Sequence, residues 1–170
     1  MNRDAIAADL ERARVTFHHL LAAAGPDDWG APTRGTRWTN EQLLFHMAFG
    51  YMVVQRLLPL VRVMGRLPDR VSGTYARVLN AATTPFHQVN DYGSCTAALV
   101  YNRRRMGAKL HRVIAALQRR LARETDEALR RGMHFPPGWD PFFSDYMTLE
   151  DVYRYPGRHF DFHAAQLIFT

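Results

Sequence analysis

The chain has 170 residues, a formal net charge of +6, 47% hydrophobic and 22% charged residues, a mixture that excludes a disordered or low-complexity polymer. The length suits one domain, residues 1–170, with a well-buried core. No run approaches the roughly 18 consecutive apolar residues of a membrane helix, and no signal-peptide pattern precedes the first amphipathic segment, so no membrane association and a cytoplasmic location are expected.

Cys95 is the single cysteine, which excludes an internal disulfide and a thiolate zinc cluster. Any metal must therefore rest on nitrogen and oxygen ligands, and the chain offers eight histidines. Nearly all the positive charge is arginine, with Lys109 the sole lysine. Such a balance suits nucleic acid or an anionic small molecule, but no nucleic-acid recognition motif is visible, and no nucleic-acid partner is expected.

In chain order, Ile6, Leu10, Ala13, Phe17 and Ala24 recur at helical spacing, and Gly25-Pro26 ends that first helix. Asp27 to Arg37 reads as a loop. Thr39 or Asn40 caps a second helix with Glu41 and Gln42 in its first turn. Its apolar positions, Leu43, Leu44, Met47, Tyr51, Val54, Leu58 and Val61, are joined by a second file of Phe45, His46, Phe49, Val53 and Leu57. A helix apolar on most sides is buried on most sides, so His46 is expected to point into protein. Residues 66–95 read as a long connection with one short helix.

Ser94 is placed to cap a third helix, with Leu99, Met106, Leu110, Val113, Leu117 and Leu121 on its apolar side. Arg105, Arg112, Arg119, Arg123 and Arg130 form a separate file, read first as a solvated face and second as a grip for phosphate or a carboxylated thiol. Gly132, Pro136, Pro137, Gly138 and Pro141 mark a second long loop, rich in aromatics. Thr148 opens the last helix, with Glu150 and Asp151 against its N-terminal dipole. Pro156 is expected to kink that helix.

His159 and His163 stand four apart on this last helix, which brings their Cβ atoms to about 5–6 Å on one face. This is the spacing by which a helix offers two imidazoles to one ion, though the glutamate of an HExxH site is missing. Buried neutral histidines need partners, and one shared cation would satisfy these two together with His46. The competing reading is three unrelated core histidines. Glu41, Asp145 and Asp161 are the acidic candidates to brace the imidazoles, Asp161 being the one turned away; Gln166 is expected to brace the bundle or a loop. Tyr92, Tyr101, Tyr153, Tyr155, Trp38 and Trp139 are candidates to line a pocket. His87 and His134 are candidates to reach a substrate from the loops, whereas His18, His19 and His111 read as core-edge or surface residues.

Two blocks carry a family resemblance. Arg37-Trp38-Thr39-Asn40-Glu41-Gln42-Leu43-Leu44-Phe45-His46-Met47 resembles the second-helix signature of the DinB/YfiT-like superfamily, and Arg158-His159-Phe160-Asp161-Phe162-His163-Ala164-Ala165-Gln166-Leu167 resembles its last helix. The resemblance implies an all-α four-helix bundle with long connections between helices two and three and between three and four. It also implies that His46, His159 and His163 hold a divalent metal. Zinc is the first choice on ligand type, with nickel, iron and manganese as alternatives, and three protein ligands leave an open position. The implied activity is transfer of a low-molecular-weight thiol to a small electrophile, or a thiol-dependent isomerisation. Metal-dependent hydrolysis and a non-catalytic metal-binding or stress-response role are the alternatives. No catalytic or cofactor-binding side chain beyond the three histidines is assigned, and a homodimer is compatible with the apolar helices.

Overall fold

The computed structural model describes residues 3–85, 92–93 and 100–170. Four long helices form the bundle: α1 (Arg3–Ala23), α2 (Asn40–Met64), α4 (Met106–Leu121) and α6 (Leu149–Ala164). Two further helices, α3 (Asp69–Ala81) and α5 (Asp126–Arg130), and a two-stranded antiparallel sheet of β1 (Gly132–His134) and β2 (Tyr146–Thr148) lie in the connections. Each of α1 and α2 packs against both α4 and α6, so α1 and α2 stand diagonally across the bundle. The link between them, with a 3-10 turn at Asp28–Gly30, crosses one end of the bundle.

The core is built from the residues that keep helical spacing. Ile6, Leu10, Ala13 and Phe17 of α1 are buried with Leu44, Met47, Tyr51, Val54, Leu58 and Val61 of α2. They meet Met106, Leu110, Val113, Ile114, Leu117 and Leu121 of α4 and Leu149, Val152, Tyr153 and Phe160 of α6. Helix α2 makes its most extensive contact with α6, the pairing that sets His46 opposite His159 and His163. α2 is also long and apolar enough to cross a membrane, a character its central place in the core accounts for.

The helix starts are sharply defined. Thr39 caps α2: its hydroxyl accepts from the Gln42 amide, and the Gln42 side chain accepts from the Thr39 amide. Thr148 and Asp151 make the same reciprocal pair at the start of α6. Each closure satisfies two backbone donors that a helix start otherwise leaves open. Helices α2 and α6 run on through Pro59 and Pro156.

Three expectations need correction. The third bundle helix begins at Met106, because Asn102 closes a turn there, its carbonyl accepting from Arg105 and Met106 and its side chain from Arg104. That helix ends at Leu121, and Thr125 caps the separate α5, so Arg130 lies on a different helix from Arg112 and Arg119. Ser94 and Leu99 lie outside the described residues. Second, the connection after α2 carries a helix of 13 residues, longer than the short one expected. Third, the loop after α5 is framed by the β1–β2 pair, so the fold is mostly helical with one small sheet. That sheet holds residues 135–145 as a wide hairpin loop, tied to α3 by Trp139 Nε1 donating to the Leu79 carbonyl (2.9 Å) and by the Gly138 amide donating to Asn80 (3.1 Å).

Candidate metal centre

His46, in the second turn of α2, faces His159 and His163 on α6. One ring nitrogen from each lies within 4.8 Å of one from each of the others, and the Nε2 atoms of His46 and His159 are 3.2 Å apart. All three side chains are buried. The separation of 113 residues in sequence is closed by the α2–α6 contact, and the i, i+4 spacing does the rest on α6.

Each ring is held by its surroundings. The loop before α2 turns at Gly35, which has a positive φ of 72°. Across that turn the Thr33 amide and hydroxyl both donate to the Trp38 carbonyl, and the Thr36 hydroxyl accepts from the Trp38 amide. Trp38 is thereby laid on His46, with ring centroids 4.4 Å apart. His163 Nδ1 meets Gln166 Oε1 at 2.7 Å. An amide oxygen can only accept, so His163 carries its proton on Nδ1 and turns the Nε2 lone pair toward the cluster. His159 lies against the backbone of α2 at Gly50, where an added Cβ would sit 3.0 Å from His159 Nδ1. That Nδ1 is buried and has no hydrogen-bond partner among the described residues.

Of the acidic candidates, none braces the cluster. Glu41 accepts from the Arg103 amide, and Asp145 pairs with His134 on the sheet. Asp161 is turned away, as its offset on the helix implied, and binds the Arg12 guanidinium of α1 through both oxygens. The acid at the site is Asp140, which sequence reading missed. It sits in the hairpin loop, its Oδ2 accepting from the Tyr155 hydroxyl (2.7 Å) and its Oδ1 from the Phe142 amide (2.8 Å). Its Oδ2 lies 3.9 Å from His159 Nε2. The signal available in sequence was weak: an acid within Trp139-Asp140-Pro141-Phe142-Phe143, next to a run of prolines. Gln166 holds His163 through its side chain and also braces the neighbouring loop, its backbone carbonyl accepting from the Arg34 amide (2.8 Å).

The cluster opens onto a cavity of about 520 Å³ between α2, α3, α6 and the hairpin loop. Trp38, Trp139 and Tyr155 line it, as do Phe45, Phe49, Phe135, Phe142, Phe143 and Phe162. The other aromatic candidates lie elsewhere: Tyr101 stacks on Phe45, Tyr153 donates to the buried Glu124, and Tyr92 is exposed. His134 pairs with Asp145 and is not a lining residue; His87 lies outside the described residues.

The arginines do not reach this cavity either. Arg62, Arg66, Arg120, Arg123 and Arg131 gather instead around Glu124 at the far end of the bundle. Arg62 is sixteen residues along α2 from His46, roughly 24 Å at 1.5 Å per residue. There Arg62 pairs with Glu124, and Arg120 donates to the Gln55 carbonyl. α2 and α4 both end in this region, and cations are favourable against helix C-termini. The file read from the sequence overlaps this cluster only at Arg123: Arg105, Arg112, Arg119, Arg123 and Arg130 are all exposed and none lines the cavity, which fits a solvated face better than a grip for a thiol at the metal site.

The protonation state suits metal binding. Burial, then the neighbouring His163, holds His46 down to about 3 from an ordinary 6.5. Burial, then His46 and His163, pushes His159 well below the ordinary value. His163 is lowered by burial, against the Gln166 hydrogen bond and the Asp140 carboxylate, which raise it. Burial raises Asp140 above the usual carboxylate value, against its Tyr155 and Phe142 hydrogen bonds. Three neutral imidazoles with converging nitrogens are the ligand form for a divalent cation.

The same shifts set an acid limit on the metal-free protein. The unfolded chain takes up protons near 6.5 that the folded histidines refuse until much lower pH. Stability is therefore full above about pH 6.5 and falls as the pH drops from there toward about 3. The melting temperature of chelator-treated protein is expected to decline through that window, and less steeply in His46→Gln. Equal slopes for the two proteins would contradict it.

A four-helix bundle in which two helices present three buried histidines to an aromatic cavity defines a class of candidate metal-binding bundle proteins. The family model of the DinB superfamily matches residues 9–167, and the chain belongs to that superfamily. Among solved structures it is similar to YfiT from Bacillus subtilis, described as a probable metal-dependent hydrolase with an unusual four-helix bundle topology. The likeness has a TM-score of 0.68 at 18% identity and covers 97% of this chain and 83% of that one. At that identity it shows the shared fold. No curated protein matches the chain.

Proposed function

We propose that this protein is a metal-dependent enzyme that transfers a low-molecular-weight thiol to a small electrophile. The observation that carries the reading is the opening of the three-histidine cluster onto an apolar, aromatic cavity. His46, His159 and His163 would hold a divalent cation, zinc being the first choice on ligand type with nickel, iron and manganese as alternatives. Such a cation supplies a lowered pKa to a thiol or water at its open position.

The chain's own residues do the rest. Trp38, Gln166 and the backbone at Gly50 fix the orientation of the imidazoles. The aromatic walls keep water from the reacting groups and hold the electrophile's apolar body beside them. An apolar cavity also favours a weakly hydrated sulfur anion over a strongly hydrated oxygen anion as the attacking group. Asp140, beside His159, is placed to accept the proton that the thiol gives up.

Hydrolysis is the second reading, and Asp140 is the observation in its favour, since a carboxylate next to the open face can equally receive a proton from water. A non-catalytic metal-binding role is the third. One assay separates the three. The metal-loaded protein is incubated with 1-chloro-2,4-dinitrobenzene with and without glutathione or another small thiol. In the transfer reaction the S–C bond forms as the C–Cl bond breaks, releasing chloride and a proton. Turnover is expected to need both thiol and metal, and to fall at least about 100-fold in His159→Ala. Turnover without thiol would point to hydrolysis. A protein that retains its metal and turns the electrophile over neither with thiol nor without it would be the non-catalytic bundle.

A further inference from the structure

The charge carried by the cavity wall is out of keeping with the charge of the chain. The protein has a net charge of +6 and 22 basic residues, yet among the described residues lining the cavity there is no arginine or lysine. The sequence from Val78 through Asn102 also contains neither. Asp140 is the one aspartate, glutamate, lysine or arginine among the described lining residues. It is well buried, with a side-chain exposure of 15%. It is fixed by Tyr155 and the Phe142 amide, so it cannot swing away from an approaching ligand.

From these observations we infer that the cavity selects an uncharged, largely aromatic or apolar small molecule, and that Asp140 is the specificity-determining residue that turns organic anions away. This deepens the proposed function by naming its substrate class, and it rests on that reading's assignment of the cavity to the substrate. An anionic ligand entering here finds no basic side chain among the described lining residues to replace its water, and a buried, unpaired charge is costly. It also approaches a like charge held in low dielectric. The volume of about 520 Å³ is in the range of small-molecule sites and admits two or three fused rings.

The test uses two fluorescent probes that differ by a sulfonate, N-phenyl-1-naphthylamine and 1-anilinonaphthalene-8-sulfonate. Both are titrated into the protein as purified, and again after chelator treatment, with metal content measured on the same samples. The neutral probe is expected to bind at least tenfold more tightly than the sulfonate in both states. In Asp140→Asn the sulfonate's disadvantage should shrink several-fold while the neutral probe's affinity changes little. Val53→Trp, which puts a large ring into the cavity, should displace the neutral probe. Equal affinities in the parent would overturn the inference, as would a ratio unchanged by Asp140→Asn. Because the readout is probe binding, it can fail while metal is present, or hold while metal is absent, so it is distinguishable from failure of the metal reading.

Discussion

Gly50→Ala is expected to leave the fold as stable as the parent or more so, and to weaken metal binding by about tenfold or more. The two effects have opposite origins. Within α2, replacing glycine by alanine reduces the conformational freedom lost on folding and is worth roughly 0.5–1 kcal/mol in favour of the helix. At the site, however, the new methyl would lie 3.0 Å from His159 Nδ1 and 3.3 Å from its Cε1, tighter than ordinary contact. His159 is nearly fully buried, with Tyr155, His46 and His163 around it, so its ring has little room to retreat. A shift of a few tenths of an ångström moves Nε2 relative to the nitrogens of His46 and His163, and residues that merely orient metal ligands commonly change affinity by 10–100-fold. A competition titration against a chromogenic chelator measures the affinity, and thermal melting of the metal-free protein measures the stability. Gly50→Leu should extend the trend to loss of measurable binding. Unchanged affinity in both variants would show that the ring is not held by this contact.

The second large effect is on stability. Asn40 is fully buried at the first turn of α2 and joins three parts of the chain. Its Nδ2 donates to the carbonyls of Asp28 (2.8 Å) and Ile168 (2.6 Å), and its Oδ1 accepts from the Ile168 amide (3.2 Å). The segment after α6 is thereby pinned beside the base of the helix that carries His46. Asn40→Ala would strand the Ile168 carbonyl and amide, while the Asp28 carbonyl keeps the Ala31 amide, and each buried group left unpaired costs about 1–3 kcal/mol, some of it recovered by entering water. A net loss of roughly 2 kcal/mol is expected, seen as a lower urea midpoint with an unchanged slope. A loss under about 1 kcal/mol would mean that water replaces these bonds freely.

Much of the fold was legible because its periodicities are strong. The apolar files of α1, α2, α4 and α6 are the buried residues, and the Thr39 and Thr148 caps mark two helix starts. The convergence of His46, His159 and His163 was read from the i, i+4 pair, the wholly apolar surroundings of His46 and the family resemblance. What escaped reading depends on contacts between segments that share no period. Asp140 reaches the site because a two-stranded sheet frames its loop and Trp139 ties that loop to α3, neither of which leaves a pattern in the local sequence. Gly50 resembles any glycine inside a helix until the ring of His159 is laid across it. The arginine file Arg105, Arg112, Arg119, Arg123 and Arg130 is exposed throughout, as its reading as a solvated face implied. The cluster of Arg62, Arg66, Arg120, Arg123 and Arg131 at the end of the bundle shares only Arg123 with that file, and only the packing of segments distant in sequence assembles it. Charge sums over the chain therefore said nothing of the charge at the site.

The central claim is that three histidines from two helices form one metal site, and elemental analysis tests it most directly. Untagged protein is purified beside His159→Ala/His163→Ala and both are analysed for divalent metals. Near-stoichiometric metal in the parent and almost none in the double variant, with both proteins folded, is the result the account predicts. A parent that carries no metal and takes up none on incubation with zinc, nickel, iron or manganese would contradict it and leave the three histidines as core residues of the bundle.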